Sequence, residues 1–269
     1  MKIVSKSVEL PNQVKLAYVE LGDPSGIPLV LLHGYADSWH TFELVLHHLP
    51  ESIHTFALTQ RGHGEASRPE EGYHPRDFAE DLGGFLDMLH IEAAIIAGGS
   101  SGGFVARRFA IDRPQSTLGL VLMGSPFTLQ SKPGVIELWD STISKLTDPI
   151  DPNFVYDFQT SFLIQSVPQA FLKTCVQESL KIPARVWKAT FKGLLEDDSS
   201  KELDQIQAPS LIIWGDRDTT LSLEDQKKLV AKIPDSQLLV YSGAGHGLYW
   251  EEPDRVAADL VTFAKSLVN

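Results

Sequence analysis

This sequence contains little cysteine and no long apolar run. Its single cysteine, Cys175, cannot form an internal disulfide, so nothing in the chain requires an oxidising compartment. No apolar run approaches the length of a membrane span, and residues 1–6 are too polar for a signal peptide. These absences lead us to expect a cytoplasmic protein that does not associate with membranes.

Positive charge and metal-ligand motifs are also scarce. The chain carries 23 Lys and Arg against 35 Asp and Glu, a net charge of −12, and has no basic cluster. A surface of that sign repels nucleic acid and anionic membranes, so neither is an expected partner. The chain lacks C-x-x-C, H-E-x-x-H and comparable spacings, and we therefore expect no metal and no cofactor.

Short β-rich runs alternate with helical patterns along the 269 residues. Such alternation predicts βαβ units, and hence an α/β fold with a mostly parallel sheet that helices cover on both faces. Strands are predicted at 14–20, 29–32, 55–58, 93–97, 118–123, 211–214 and 237–241, and helices at 41–49, 75–89, 104–111 and 253–267.

Residues 125–208 interrupt this alternation. They contain several helical patterns separated by prolines, and no convincing strand. We therefore predict core segments 1–125 and 208–269, with a helical insertion at 126–207 as a candidate lid. Its bulky apolar side chains predict an apolar pocket, although their helical spacing is also typical of side chains that pack against a core. These side chains are Trp139, Phe154, Phe158, Phe162 and Trp187.

The stretch IIAGGSSGG at 95–103 matches G-x-S-x-G, a strand-to-helix turn that exposes a nucleophilic serine. Two registers fit, 98–102 around Ser100 and 99–103 around Ser101. The first is preferred, because the second places two glycines at the end of a strand, where glycine is unfavourable. A glycine-serine loop without chemistry would be the simpler interpretation if the motif stood alone.

A serine nucleophile needs a base, and the base needs an orienting acid. Of the nine histidines, His246 is the best candidate, since it lies in a glycine-rich loop between a strand and the last helix. The other eight histidines are expected to be structural or solvated.

The acid that orients the base should follow a strand, and the run at 211–214 is followed by Asp216 and Asp218. We favour Asp218, which lies further into the loop, and interpret Asp216 as a turn residue that caps or pairs with Arg217.

The tetrahedral intermediate of acyl transfer also needs two backbone N–H donors. The residue after the nucleophile, Ser101, supplies one. The loop HGY at 33–35 follows an early strand and supplies the other, with Tyr35 as the expected donor.

Five motifs occur in a fixed order: HGY at 33–35, RGHG at 61–64, GGSSGG at 98–103, WGDRD at 214–218 and GHG at 245–247. In this order the chain resembles an α/β-hydrolase fold protein over essentially its whole length. The resemblance implies an eight-stranded, mostly parallel sheet with a helical cap after the sixth strand. One departure is Gly99, where the family commonly has histidine, and this glycine is expected to open space beside the nucleophile.

The expected activity is that of a serine hydrolase that cleaves a carboxylic ester, thioester or lactone through an acyl-enzyme. Ser100, His246 and Asp218 would carry the reaction on small, uncharged or weakly charged substrates. Other activities of the fold stay open: C–C bond hydrolysis, cofactor-free perhydrolysis, acyl transfer, or a receptor with slow turnover. Epoxide hydrolases and haloalkane dehalogenases would need Asp at position 100. Four side chains are expected to contact substrate: Trp39, Phe127, Trp139 and Leu248.

Overall fold

The described part of the chain, residues 3–268 of a computed structural model, forms one eight-stranded sheet. The strands are β1 (Ser5–Glu9), β2 (Lys15–Leu21), β3 (Ile27–Leu32), β4 (Ile53–Thr59), β5 (Ala94–Gly99), β6 (Thr117–Met123), β7 (Ser210–Gly215) and β8 (Ser236–Tyr241). Their order is β1-β2-β4-β3-β5-β6-β7-β8. Strand β2 is antiparallel to β1 and β4, and all other pairs are parallel. The outermost residues of the predicted core segments, Met1, Lys2 and Asn269, lie outside the described range.

The predicted α/β class and mostly parallel sheet are confirmed. Strand β1 was not predicted, because its sequence, SKSVE, lacks an apolar alternation. It lies at the edge of the sheet, where four of its five side chains are exposed. Pairing with the longer β2 therefore forms this strand, and burial contributes little.

Helices cover both faces of the sheet and create two apolar cores. Strand β3 shows how one strand serves both, since successive side chains point to opposite faces. Its residues Val30 and Leu32 belong to one core, while Leu29 and Leu31 belong to the other. Strands buried on both faces are apolar at every position, which explains why these runs were visible in the sequence.

The α-helices are α1 (Glu43–Leu46), α2 (Pro75–Met88), α3 (Gly102–Asp112), α4 (Pro133–Ser141), α5 (Pro152–Thr160), α6 (Gln169–Leu180), α7 (Ala184–Glu196), α8 (Leu223–Lys232), α9 (Leu248–Glu251) and α10 (Pro253–Ser266). Short 3₁₀ helices span Trp39–Phe42, Pro114–Ser116, Ile143–Lys145, Ser199–Lys201 and Leu203–Gln205. The predicted helix at 41–49 is shorter, split between a 3₁₀ turn and α1. Helix α8 was not predicted. Within residues 3–268, every helix is too short or too polar to cross a membrane.

Helices α4 to α7 lie between β6 and β7, and residues 124–209 contain no strand. The fully buried Arg107 of α3 binds both ends of this segment. Its guanidinium donates to the carbonyls of Pro126 and Phe127, at 2.9 Å each, and to the carboxylate of Asp197, also at 2.9 Å. Charge-assisted hydrogen bonds from one planar guanidinium to three acceptors fix the geometry closely. One side chain of the sheet-packed helix thus holds the helical segment where it leaves the core and where it returns.

Candidate active site

Ser100 lies at the turn between β5 and α3, with a φ of 49°. This left-handed conformation is strained for a residue with a side chain. The turn requires glycine on both sides: a Cβ at Gly98 would lie 2.4 Å from the backbone of Gly102, and one at Gly102 would lie 2.3 Å from the carbonyl oxygen of Leu32. Ser101 has ordinary helical angles and occupies the N-cap position of α3 without a side-chain capping hydrogen bond. The structure thus places Ser100, rather than Ser101, at the apex of the turn.

Three side chains from distant parts of the chain form a hydrogen-bonded series at this turn. His246 Nε2 lies 2.9 Å from Ser100 Oγ, and His246 Nδ1 lies 2.8 Å from Asp218 Oδ2. The Asp218 side chain is fully buried, and its Oδ1 accepts the N–H groups of Thr220 and Leu221 at 2.7 and 2.9 Å. The carboxylate is therefore held rigidly, with one oxygen left for the imidazole.

Asp216 has a different environment. Its carboxylate accepts the Gly243 N–H at 2.7 Å and the Ser242 hydroxyl at 3.0 Å, and it lies 3.9 Å from Arg217. The hydrogen bond from Gly243 holds the pKa of this carboxyl below its usual value. Asp216 therefore ties the end of β7 to the loop that carries His246, in keeping with its predicted role as a turn residue.

The loop after β3 approaches the nucleophile from the other side. A Cβ at Gly34 would be 3.4 Å from both the Gly99 carbonyl oxygen and Ser100 Cβ. In the described part of the chain, neither the Tyr35 nor the Ser101 backbone N–H donates to a protein acceptor. His33 fixes this loop, donating from Nδ1 to the Gly34 carbonyl at 2.8 Å.

Two cavities meet at Ser100 and His246. The first, the polar cavity, has a volume of about 50 Å³, and the second, the apolar cavity, about 110 Å³. The polar cavity is lined by Gly34, Tyr35, Asp37, Ser100, Phe158, Gln159, Phe162, Leu163, His246, Gly247, Tyr249 and Trp250. The apolar cavity is lined by Tyr35, Ser100, Ser101, Pro126, Leu129, Val135, Leu138, Phe158, Phe162, Phe191, Leu194, Thr220, Leu221 and His246. Of the insertion aromatics expected at a pocket, Phe158 and Phe162 line both cavities.

The four side chains expected to contact substrate line neither cavity. Trp39 stacks on His40, with ring centroids 3.8 Å apart, and Leu248 is fully buried in the core on its side of the sheet. Phe127 packs against the other core. Trp139 stacks against Phe191, which itself lines the apolar cavity. The sequence indicated apolar residues near the site but could not reveal which face each one presents.

Three polar residues at the site were not predicted: Asp37, Gln159 and Tyr249 all line the polar cavity. Tyr249 also corrects the expectation that Gly99 leaves open space. A Cβ at Gly99 would come within 3.0 Å of the Tyr249 ring, so the tyrosine occupies the space that a side chain at position 99 would need. The one sequence feature that indicates a position near the site is that Tyr249 follows His246 by three residues.

Residues 3–268 contain no group of three or more His, Cys, Asp or Glu side chains arranged to hold a metal ion. Among the same residues, no lysine or arginine lines either cavity. The site therefore offers hydrogen-bonding and apolar groups, together with the carboxylate of Asp37.

Comparison with known proteins places the chain in a family. A profile of the alpha/beta hydrolase fold matches residues 27–253. The "AB hydrolase superfamily protein YisY" of Bacillus subtilis is 26% identical over 96% of this chain and 98% of its own. A Pseudomonas putida protein named 2-hydroxy-6-oxononadienedioate/2-hydroxy-6-oxononatrienedioate hydrolase 2 is 30% identical over 90% of this chain and 88% of its own.

Solved structures agree with that placement. The esterase RhEst1 from Rhodococcus superposes with a TM-score of 0.83 and 26% identity, covering 99% of this chain and 100% of its own. The esterase EaEST from Exiguobacterium antarcticum has a TM-score of 0.87 at 21% identity, covering 97% and 100% respectively, and so shares the fold. The matched profile covers most of the chain, and this protein therefore belongs to the alpha/beta hydrolase fold family.

Proposed function

We propose that this protein is a serine hydrolase that cleaves carboxylic esters, thioesters or lactones through an acyl-enzyme. The observation that carries the proposal is the series Asp218–His246–Ser100, with hydrogen bonds of 2.8 and 2.9 Å at the junction of two cavities. An activated serine between two cavities suits an ester, because the acyl group and the alcohol group on either side of the ester bond can each occupy one cavity.

In the first half-reaction, Ser100 Oγ attacks the carbonyl carbon while His246 Nε2 takes the hydroxyl proton. Asp218 holds the imidazole in the tautomer with its proton on Nδ1 and stabilises the imidazolium that forms. The Tyr35 and Ser101 N–H groups, which have no acceptor within residues 3–268, would donate to the oxyanion. Collapse breaks the ester C–O bond, and the imidazolium returns its proton to the departing alcohol.

In the second half-reaction, His246 takes a proton from water, and the resulting hydroxide adds to the acyl carbonyl. The bond to Ser100 Oγ then breaks, the imidazolium returns the proton to that oxygen, and the carboxylic acid departs. Each half-reaction uses the same base and the same oxyanion donors, so one arrangement of residues serves both.

The proposed substrates are small and uncharged or weakly charged, bound beneath a cap formed by residues 126–207. The apolar cavity supports this size and polarity, since nearly all of its lining outside the reacting residues is hydrocarbon. A net charge of −12 and the missing basic residues in both cavities disfavour polyanions, so nucleic acid and anionic membranes are not proposed partners.

A second candidate is C–C bond hydrolysis, because the Pseudomonas putida relative named as a hydrolase of dienedioates is 30% identical. A dioate carries two carboxylates, and such groups need a cation that the described linings do not provide. Ester cleavage is therefore the better-supported reaction.

The test is hydrolysis of p-nitrophenyl acetate and butyrate before and after treatment with a fluorophosphonate. We expect turnover of both esters, and its loss when about one equivalent of reagent has reacted. A 2-hydroxy-6-oxo-dienedioate assayed in parallel should be cleaved far more slowly. Ester turnover that survives stoichiometric labelling would contradict the proposal, and faster cleavage of the dioate would favour the second candidate.

A further inference from the structure

Asp37 is a buried carboxylate in the wall of the polar cavity. It follows β3 in the loop that also carries Tyr35, and only 4% of its surface is exposed. Ser100 and His246 line the same cavity. A substrate bound at the nucleophile and extending into this cavity would therefore meet the carboxylate.

Within residues 3–268, the Asp37 carboxylate has no cationic partner. The Ser38 N–H donates to Asp37 Oδ1 at 3.1 Å, and the Thr41 hydroxyl nearby favours the ionised form. Among the ion pairs formed by residues 3–268, none includes Asp37. The nearby charge of Glu178 is of the same sign. An ionised buried carboxylate without a cation is unfavourable, so a positively charged ligand would relieve an existing cost.

The two cavities differ in a way that gives Asp37 a role in selection. Outside the residues that both share, the apolar cavity is lined mostly by hydrocarbon, whereas the polar cavity adds Asp37, Gln159 and Tyr249. Its remaining walls include Leu163 and Trp250, which limit screening by water. A low-dielectric wall strengthens the attraction between the carboxylate and a cation, and equally its repulsion of an anion.

We propose that Asp37 is a specificity-determining residue, which selects substrates that place an ammonium group in the polar cavity. This inference rests on the proposed ester hydrolysis, and it adds the chemistry of one side of the substrate. The ammonium would donate hydrogen bonds to the Asp37 carboxylate, while the other side of the ester occupies the apolar cavity. Substrates with a carboxylate at the same position would be rejected.

The preference for ammonium-bearing esters should depend on pH, because it requires the ionised form of Asp37. Burial raises the pKa of its carboxyl to about 7, against hydrogen bonds from Thr41 and Ser38 that lower it. In the described part of the chain, Asp37 interacts electrostatically with Cys175, Glu178 and Tyr249, and His246 lines the same cavity. Burial raises the pKa values of Cys175 and Tyr249 well above neutrality, so both stay uncharged. Glu178 pairs with the Lys181 ammonium at 2.6 Å. His246 acts equally on all esters, so a ratio of two substrates removes its contribution.

The kinetic test compares β-alanine methyl ester with methyl butyrate. The two esters are nearly isosteric and differ in an ammonium that replaces a terminal methyl group. We expect the ratio of their kcat/KM values at pH 8 to fall by about tenfold or more in Asp37→Asn, the scale of a hydrogen bond to a charged group. In the wild type the ratio should rise from pH 6 to pH 8, and in the variant it should be flat. Glu178→Gln is the matched control, because it removes a nearby acid that does not line the cavity, and it should keep the ammonium preference.

The kinetic test assumes that the acyl part of the ester lies in the polar cavity. A binding measurement does not depend on that orientation, and it therefore also applies if the alcohol part lies there. With Ser100→Ala, calorimetry should show tighter binding of n-propylammonium than of n-propanol at pH 8, and this preference should vanish in Ser100→Ala/Asp37→Asn. Equal affinities for the two probes, together with an unchanged kinetic ratio in Asp37→Asn, would overturn the proposal. If the ammonium preference in binding is present but no ester is hydrolysed, the cation site stands and the proposed function fails.

Discussion

Asp218 and His246 meet through a 2.8 Å hydrogen bond between Oδ2 and Nδ1, although 28 positions separate them in the sequence. Asp216, only two residues before Asp218, instead accepts the N–H of Gly243. The two carboxylates thus act on the same loop in different ways: one orients the imidazole and the other positions the backbone that carries it.

Asp218→Asn should therefore reduce ester hydrolysis by about 10⁴-fold, because an amide at this position favours the wrong imidazole tautomer. Asp216→Asn should cost less than about tenfold, since it weakens one contact to Gly243 and leaves the imidazole partner in place. Steady-state kcat for p-nitrophenyl butyrate measures both. Losses of equal size would show that the acid has been assigned to the wrong residue.

Substitution of a glycine in the turn around Ser100 should affect stability very differently from substitution of a glycine in α4. Gly98→Ala places a Cβ 2.4 Å from the Gly102 backbone, and we expect a loss of about 1–3 kcal/mol or more in the free energy of unfolding. Gly134→Ala, in α4, meets no atom within 4 Å and should stabilise the protein by about 0.5–1 kcal/mol. Urea unfolding of both variants measures these changes. An unchanged free energy of unfolding in Gly98→Ala would contradict the turn geometry.

Removing the Asp37 charge should stabilise the fold, and more so at higher pH. Burial raises the pKa of Asp37 to about 7 from its usual 3.8, so ionisation in the folded state weakens folding progressively between those two values. Asp37→Asn should therefore gain up to about 4 kcal/mol relative to the wild type when the pH is raised from about 4 to 8. Chemical unfolding at the two pH values measures the gain. A difference between the proteins that does not change with pH would mean that Asp37 is not destabilised by burial.

Acid should destabilise the fold through His63. Burial lowers the pKa of this imidazole to about 4, below the 6.5 of the unfolded chain, so the unfolded state binds the proton first on acidification. The contribution of neutral His63 is therefore present above pH 6.5 and lost as the pH falls towards 4, by about 3 kcal/mol. We expect His63→Gln to show a shallower loss of stability over this window in the same unfolding assay. Parallel slopes for wild type and variant would contradict this assignment.

The apolar cavity should set the preferred chain length of the substrate. For alkyl acetates with progressively longer alcohol chains, each added methylene that enters the cavity should raise kcat/KM by up to about fourfold, equivalent to about 0.8 kcal/mol, until the space is filled. Val135→Trp narrows the cavity and should move the optimum to a shorter chain. Ile136→Trp, on the exposed side of the same helix, is the matched control and should leave the optimum unchanged. A wild-type kcat/KM that falls steadily from methyl acetate onward would mean that the alcohol chain does not enter this cavity.

The sequence predicted those features for which both the local chemistry and the fold restrict which residue types can occur. The buried strands, the turn at Ser100 and the choice of Asp218 over Asp216 for the partner of His246 all followed from motifs and spacing, and the structure brings these three side chains together. Substrate contacts could not be predicted in the same way. Trp139 and Phe191 both lie on helices of the insertion, but only the way those helices pack decides that Phe191 lines a cavity.

Asp37 shows the same limit for a polar residue. In the sequence it is one acid in a loop, and nothing local indicates burial or the absence of a cation. Those properties arise from α5, α6 and α9, which come from distant parts of the chain and meet around it. The position of Ser100 at the apex of the turn could be predicted from the sequence, whereas the chemistry of the cavity could not.

The most direct test of the account is the location of a fluorophosphonate adduct by peptide mass spectrometry, in the wild type, Ser100→Ala and Ser101→Ala. We expect the adduct on Ser100, its absence in Ser100→Ala with a loss of about 10⁴-fold or more in ester turnover, and its retention in Ser101→Ala. An adduct that disappears in Ser101→Ala but persists in Ser100→Ala would show that Ser101, and not Ser100, is the nucleophile.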